Sequence, residues 1–230
     1  MIERPAWMKH WYDFAAGSIR LLGHIFWRVH FTGRENVPAE GALIVASNHQ
    51  SHLDPPLVGS GFPRRLNFVA RKSLYRFSPF GALIRSLDAI PVDQDGSPLA
   101  GLRESLRRLK GGEALLIFPE GSRSWDGEIA PFLPGFALLS RKSNATILPT
   151  AIEGAYDAWP RWQKAPRTGT VHIHFGVPMP PDEARRYSDG DLAAELERRV
   201  RRLHEEVRLR SVFARRTLRR EPPTPEPPHK

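Results

Sequence analysis

Apolar runs of four to seven residues, separated by Gly, Pro and polar segments, dominate the chain from residue 33 onward. Six of them have the length and composition of buried β-strands: 42–47, 66–70, 89–92, 114–118, 146–152 and 170–175. Segments with helical spacing lie between them; one starts at Ser97 and Pro98, and another covers about 135–142. This alternation predicts an α/β fold in which a mixed, mostly parallel sheet is flanked by helices.

The first thirty residues follow a different pattern, in which aromatic and aliphatic side chains recur at helical spacing among basic ones. Trp7 and Trp11 beside Lys9 suit a membrane interface, where a ring lies at headgroup depth and a cation meets lipid phosphate. We therefore assign residues 1–30 to N-terminal amphipathic helices at a membrane interface. A helix packed on the protein's own core would show the same periodicity, and this alternative stays open.

The last predicted helix, about 189–219, carries Leu192, Leu196 and Val200 on one side and many arginines around them. This is the pattern of a basic amphipathic helix. Its first half is expected to pack on the sheet with a solvated polar face, and its arginine-dense second half to meet an anionic surface. It closes an α/β domain that spans 31–220, and the Pro-rich residues 221–230 are expected to be disordered.

Composition narrows the possible chemistry. The 230 residues include no cysteine, which excludes disulfides, thiolate zinc sites and a cysteine nucleophile and fits a reducing compartment. The formal net charge of +9 predicts a polyanionic partner, but a membrane and a nucleic acid satisfy it equally. No apolar run approaches the roughly 20 residues of a spanning helix, and no secretory signal is recognisable. We therefore expect a cytoplasmic protein that does not span a membrane.

The sharpest local feature is the segment 48–56, Asn-His-Gln-Ser-His-Leu-Asp-Pro-Pro, which directly follows a predicted strand. Open α/β sheets build their sites at the carboxyl ends of strands. His49 and Asp54 are five residues apart, which is wrong for one helical face, so His49 belongs to a loop that can fold back onto the carboxylate. An imidazole oriented in this way by Asp54 would act as a general base.

Two other interpretations of this segment stay open. Asp54 followed by proline is also a good helix start, with Asp54 as the N-cap. A metal site would recruit His49, His52 and Asp54 together with His172 and His174, although no pair has an established zinc spacing. Because the chain has neither cysteine nor a Gly-x-Ser-x-Gly motif, a histidine base would activate a substrate hydroxyl directly.

A second polar turn, Phe-Pro-Glu-Gly-Ser-Arg-Ser at 118–124, also follows a predicted strand. Its small residues let a ligand approach the backbone, its free N–H groups can meet an anion, and an arginine binds phosphate with two parallel hydrogen bonds. The turn therefore suggests an anion site. Taken alone, it could equally be a common glycine turn with Glu120 and Arg123 as an exposed ion pair.

Together the two segments resemble the glycerolipid acyltransferases typified by 1-acylglycerol-3-phosphate acyltransferases, the PlsC-like family. The family's first block is Asn-His-x-x-x-x-Asp and its third is Phe-Pro-Glu-Gly-Thr/Ser-Arg-Ser, and both are complete here. Their separation of about seventy residues is similar, as are Ala-Arg-Lys-Ser-Leu from residue 70, Pro-Phe-Gly from 79 and Ile-Leu-Pro-Thr-Ala-Ile-Glu-Gly from 147. The likeness covers about 33–178.

The resemblance implies an enzyme that moves a fatty acyl group from acyl-CoA or acyl carrier protein to a lysophospholipid hydroxyl, most directly that of 1-acylglycerol-3-phosphate. It gives His49 the role of base and Asp54 that of its orienting carboxylate. Residues of the matching blocks would bind the acceptor: Asn48, Ser51, Lys72, Glu120, Gly121, Ser122 and Arg123. Asn48 would also shape the loop that carries His49. No metal or organic cofactor is implied. The implied location is the cytoplasmic face of a cell membrane with anionic lipids, with no nucleic acid as partner.

One block departs from the family pattern. Gln94 stands where a phosphate-binding arginine is expected, which admits acceptors with another headgroup, such as a lyso-ornithine lipid or a lysophosphodiester. Arg123, Lys72 or Arg71 could compensate for the missing cation. Two further classes stay open: a hydrolase that uses the same base on water, and a non-enzymatic protein that binds membranes or nucleic acid.

Overall fold

A computed structural model describes residues 5–76, 78–92 and 99–218. Its strands are β1 (His30–Thr32), β2 (Leu43–Ser47), β3 (Leu66–Arg71), β4 (Ile90–Val92), β5 (Ala114–Ile117), β6 (Thr146–Glu153) and β7 (His172–Phe175). In the described part of the chain they form one sheet in the order β1-β7-β6-β2-β5-β3-β4. Neighbouring strands are parallel except β6 and β7. The predicted fold class is confirmed.

Helices cover both faces of this sheet. They are α1 (Ala6–Trp27), α2 (Asp54–Gly61), α3 (Ser78–Ser86), α4 (Leu99–Lys110), α5 (Gly135–Ser143), α6 (Ala155–Ala158), α7 (Pro181–Ala184) and α8 (Asp189–Leu218), with 3₁₀ turns at Arg34–Asn36 and Lys72–Arg76. One core lies between the sheet and α2, and the other lies between the sheet and α4, α5 and α8.

The alternation of side chains along β2 explains why there are two cores. This strand is buried along its whole length, as expected for a strand covered on both faces. Val45 belongs to the core that contains Leu57 of α2, and Ile44 to the core that contains Leu196 of α8. Successive side chains point to opposite faces, so one apolar run serves both layers.

The α1 helix has two apolar faces. Tyr12 and Ala15 are buried, and Gly23 leaves so little space that a Cβ there would lie 3.1 Å from Leu57 of α2. The other face exposes Phe14 and Ile25, at 66% and 61%. The helix therefore packs on the protein, as the second interpretation of its pattern required, and still presents apolar side chains outward. Among the described residues, no helix combines the length and hydropathy needed to cross a bilayer.

The first half of α8 packs as expected, with Leu192, Leu196 and Val200 fully buried. Its outward-facing arginines in this half form ion pairs within the helix; Arg201, for example, lies 2.8 Å from Glu197. The helix continues to residue 218, but its side chains are described only to residue 211. The predictions for the arginine-dense end from residue 212 and for the Pro-rich residues 221–230 therefore concern side chains outside the described part of the chain. Ser97 and Gln94 also lie outside it.

One strand was missed by the sequence analysis, and one local prediction was wrong. The short strand β1 was not predicted, because three residues with polar side chains at both ends give no apolar run; its pairing with β7 creates it. Asp54 is not an N-cap: Leu53 holds that position and Asp54 is the first helical residue. The Asp54 carboxylate points back to the preceding loop rather than to the free N–H groups of its own helix.

Candidate active site

Four adjacent strands, β3, β5, β2 and β6, run in the same direction and end at the same edge of the sheet. The segments predicted to carry chemistry follow these ends: residues 48–53 come after β2, 118–124 after β5, and Arg71 ends β3. Open α/β sheets form their sites at the carboxyl ends of parallel strands. The topology alone therefore brings these distant segments together.

His49 and Asp54 meet across the turn between β2 and α2. His49 Nδ1 lies 2.8 Å from Asp54 Oδ2. The same oxygen accepts the backbone N–H groups of Gln50 at 2.6 Å and Ser51 at 2.7 Å. Because this oxygen acts as an acceptor, the imidazole hydrogen is on Nδ1 and the lone pair is on Nε2. The contact expected from the sequence spacing is present.

The His49 ring is held flat against Phe118. The two ring centroids are 3.8 Å apart and the planes differ by 15°. The His49 side chain is 17% exposed, whereas that of Asp54 is fully buried. Within the described residues, the ring makes its hydrogen bond through Nδ1, which leaves Nε2 for a substrate. An oriented imidazole that is partly exposed and has one nitrogen free of hydrogen bonds within the described residues has the geometry required of a general base.

Two other polar residues of this loop are fully buried. Asn48 donates from Nδ2 to the Ile152 carbonyl at 2.9 Å and accepts the Ile152 N–H at Oδ1 at 2.8 Å. The Ser51 hydroxyl donates to the Trp159 carbonyl at 2.7 Å. These side chains, predicted to bind the acceptor, have their polar atoms engaged by the protein backbone, and the contacts fix the shape of the loop.

Glu120 links the two polar segments. Its Oε1 accepts the His49 N–H at 2.7 Å and its Oε2 accepts the Ala130 N–H at 2.9 Å. Burial raises the pKa of Glu120 to about 7, against the lowering effect of these two backbone hydrogen bonds. The exposed ion pair with Arg123 considered above is therefore wrong: Glu120 is 8% exposed and bonds to backbone. Its carboxyl group orients the loop that carries His49.

The sequence also matches a known protein family. The profile of the family described as Acyltransferase matches residues 28–153. The chain belongs to this acyltransferase family. The prediction of an acyltransferase enzyme is thereby confirmed in place of the non-enzymatic alternative.

Three relatives show how far the likeness extends. The 1-acyl-sn-glycerol-3-phosphate acyltransferase of Bacillus subtilis is 26% identical over 169 residues, which cover 73% of this chain and 82% of that protein. That of Pseudomonas aeruginosa is 32% identical over 178 residues, or 75% of this chain and 66% of that protein. The crystal structure of PlsC, the LPA acyltransferase of Thermotoga maritima, gives a TM-score of 0.76 at 29% identity, covering 90% and 84% of the two chains. The resemblance to PlsC-like glycerolipid acyltransferases is confirmed.

Arginines lie near His52, the second histidine in the loop that follows β2 of this acyltransferase. A guanidinium nitrogen of Arg123 contacts His52 Nε2, which must be the acceptor because a guanidinium only donates. Burial lowers the pKa of His52, and the charge of Arg123 lowers it further. Burial also lowers the pKa of Arg123, followed by the charges of Arg161 and Arg71. Positive charge therefore converges beside His52, three residues after His49 in the same loop.

The remaining predicted binding residues of the acyltransferase lie on the surface. Gly121 has a φ of 73° and turns the chain after β5, and a Cβ there would lie 3.1 Å from the Leu133 side chain. Ser122 is exposed next to it. Lys72 is exposed at the start of the 3₁₀ turn that follows β3.

The histidines of the metal interpretation are not brought together. His172 stacks on His30 with ring centroids 4.8 Å apart, and His174 Nδ1 lies 2.7 Å from the Thr32 hydroxyl. Both contacts are made between β7 and β1, and β6 separates β7 from β2, the strand that leads into the His49 loop. Across the described ranges, no three His, Asp or Glu side chains are grouped so as to hold a metal ion.

Sequence reasoning missed two residues of the acyltransferase site. Phe118 lies under His49, and its position directly after a strand and before the Pro-Glu-Gly turn was an available signal. Arg161 follows α6, 38 residues beyond Arg123, and lies outside every matching block. No pattern in the sequence marks it, because only the fold brings it beside the 118–124 turn.

Proposed function

We propose that this acyltransferase transfers a fatty acyl group from acyl-CoA or acyl carrier protein to the hydroxyl of a lysophospholipid. The acceptor that similarity supports is 1-acylglycerol-3-phosphate, which would give phosphatidic acid for phospholipid synthesis. The names of the relatives support this acceptor. The observation that carries the proposal is the buried Asp54 carboxylate bonded to Nδ1 of a partly exposed histidine, whose Nε2 makes no hydrogen bond within the described residues.

In the proposed reaction, His49 Nε2 takes the proton of the acceptor hydroxyl while the hydroxyl oxygen attacks the carbonyl carbon of the thioester. Asp54 stabilises the imidazolium that forms. Backbone N–H groups beside the site are proposed to stabilise the oxyanion. Collapse of the tetrahedral intermediate breaks the C–S bond, and the thiolate leaves with the proton held by His49. The products are the ester and the free thiol, and the imidazole returns to its neutral form.

We also propose that the protein works as a peripheral protein on the cytoplasmic face of a membrane that contains anionic lipids. The outward apolar face of α1 supports this, because Trp7, Phe14 and Leu21 are each more than 60% exposed. The net charge of +9 adds electrostatic attraction to such a surface. An acceptor with a single long acyl chain resides in the same surface, so enzyme and substrate would meet there.

A direct assay tests the reaction. Labelled acyl-CoA and acyl carrier protein thioesters are incubated with a panel of lysolipids that includes 1-acylglycerol-3-phosphate, a lysophosphodiester and a lyso-ornithine lipid. General-base catalysis contributes roughly 10²–10⁴-fold, so His49→Ala should lower kcat by at least about a hundredfold. His172→Ala, which removes a histidine of β7, two strands away from β2, should keep the wild-type rate.

The same assay separates transfer from hydrolysis. Free fatty acid released at equal rates with and without a lysolipid would identify a thioesterase, and transfer only to the ornithine lipid would change the acceptor. If the His49→Ala protein turns over like the wild type, the proposed mechanism is wrong whatever the acceptor.

A further inference from the structure

Arg161 stands out among the charged residues near the site because it belongs to none of the blocks that mark the family. It follows α6, and its Nη1 donates to the carbonyl of Arg123 at 3.1 Å. The next backbone group, the N–H of Ser124, donates to the carbonyl of His49 at 2.8 Å. The Arg161 guanidinium is therefore connected to the loop of the catalytic histidine through one peptide unit.

The Arg161 guanidinium is held in a defined orientation. Its central carbon lies 3.7 Å from the centroid of the Trp125 ring, which is close stacking on the face of an indole. Trp125 is in turn held by Tyr156, whose hydroxyl donates to the Trp125 carbonyl at 2.8 Å. A planar guanidinium that is fixed in this way loses little side-chain entropy when it binds a ligand.

The charge of Arg161 has no carboxylate partner among the described residues. In the described part of the chain, no carboxylate lies within ion-pair distance of Arg161 or Arg123, whereas several arginines of α8 have such partners. Two guanidinium groups and the nearby Arg71 repel one another, and this repulsion contributes to the lowered pKa of Arg123. An anion between them would reduce the repulsion and could accept hydrogen bonds from guanidinium N–H groups that have no partner within residues 5–76, 78–92 and 99–218.

We propose that Arg161 is a specificity-determining residue that binds, together with Arg123, the phosphate of the acyl acceptor beside His49. This proposal rests on the proposed function, whose acceptor carries a phosphate. It also explains how the chain can bind such an acceptor although Gln94 replaces an expected arginine: a second guanidinium reaches the site from a different segment. Acyl-CoA carries phosphate as well, so the test must distinguish acceptor from donor.

The kinetic test titrates acceptor and donor separately in the wild type and in Arg161→Gln. Loss of a charge-assisted hydrogen-bond pair is expected to raise the KM for 1-acylglycerol-3-phosphate roughly tenfold to hundredfold. The kcat should stay within about threefold and the KM for acyl-CoA should not change. Arg161→Lys keeps the positive charge but loses the planar guanidinium with its paired donors. Its KM for the acceptor should therefore lie between those of the wild type and Arg161→Gln. Arg167→Gln, an exposed arginine of the same connecting segment, is the matched control and should behave as wild type.

A binding measurement covers the case in which a substitution disturbs the fold or the proposed function fails. Two proteins are compared, one with His49→Ala alone and one with His49→Ala and Arg161→Gln. The affinity of each is measured for 1-acylglycerol-3-phosphate and for a monoacylglycerol of the same chain length. The preference for the phosphate-bearing lipid should fall roughly tenfold to hundredfold in Arg161→Gln, while Arg123 keeps part of it.

Three outcomes would overturn the role of Arg161: an unchanged acceptor KM, a change confined to the KM for acyl-CoA, or equal weakening of both lipids. The proposed function fails differently, when the wild type transfers no acyl group to any lysophospholipid; the binding preference still decides on Arg161 in that case.

Discussion

At the scale of single residues, Glu120 has the most unusual environment. It is nearly buried, its two oxygens accept backbone N–H groups from separate loops, and its pKa is raised to about 7 from 4.5. A carboxyl group with a raised pKa binds its proton more tightly in the folded than in the unfolded protein. The free energy of unfolding should therefore fall as the pH rises from about 4.5 to about 7 and then level off.

Replacing Glu120 by glutamine should remove this pH dependence. Between about pH 4.5 and 7, the free energy of unfolding of the wild type should fall by roughly 2–3 kcal/mol relative to that of Glu120→Gln. Urea unfolding at pH 5, 6, 7 and 8 measures it, and Glu128→Gln, an exposed carboxyl group of the same loop, is the control. Parallel curves for wild type and Glu120→Gln would show that the buried carboxyl group does not titrate in this range.

At the scale of elements, Asn48 extends the pairing of two strands. Ser47 pairs with Thr150 at the end of the parallel β2–β6 ladder, and one residue further the Asn48 amide bonds to both backbone groups of Ile152. A side chain thus continues the ladder at the point where the backbone of β2 turns away to form the histidine loop.

Asn48→Ala should leave the N–H and carbonyl of Ile152 buried without partners, at a cost of roughly 2–4 kcal/mol in unfolding free energy. Asn36→Ala, which removes a single partly buried hydrogen bond to Phe175, should cost only about 1 kcal/mol. Chemical denaturation of both variants gives the comparison. Equal losses of unfolding free energy in the two proteins would mean that the pair of hydrogen bonds to Ile152 contributes no more than the single bond of Asn36.

At the scale of the whole molecule, the outward apolar face of α1 bears on where the protein works. Replacing Phe14 and Ile25 together by glutamine should weaken binding to anionic vesicles at least roughly tenfold, because two side chains lose burial in lipid. The control replaces Val177 and Leu99, which are 71% and 53% exposed elsewhere on the surface. Sedimentation with vesicles measures both; identical binding of the two double variants would remove α1 from the membrane contact.

Much of the molecule followed from local pattern. Buried strands such as β2 and β5 are continuous apolar runs between turn residues, and the His49–Asp54 contact followed from a loop and a helix start at a strand's end. The features that escaped prediction depend on tertiary contacts. The strand β1 exists only by pairing with β7, the Asp54 carboxylate turned away from the cap position because three donors converge on it, and Arg161 reaches the site through the path of the chain after α6.

The attachment of α1 constrains how the enzyme can move on any surface it occupies. Trp11 donates to the Ser86 hydroxyl near one end of the helix, Arg20 donates to the Ser60 carbonyl in its middle, and Trp27 donates to the Arg167 carbonyl at its last residue. A helix that is hydrogen-bonded to the rest of the protein at three points along its length cannot move independently of it. Whatever plane α1 rests in, His49 stands at a constant height above it, and the protein can change that height only by tilting as one body.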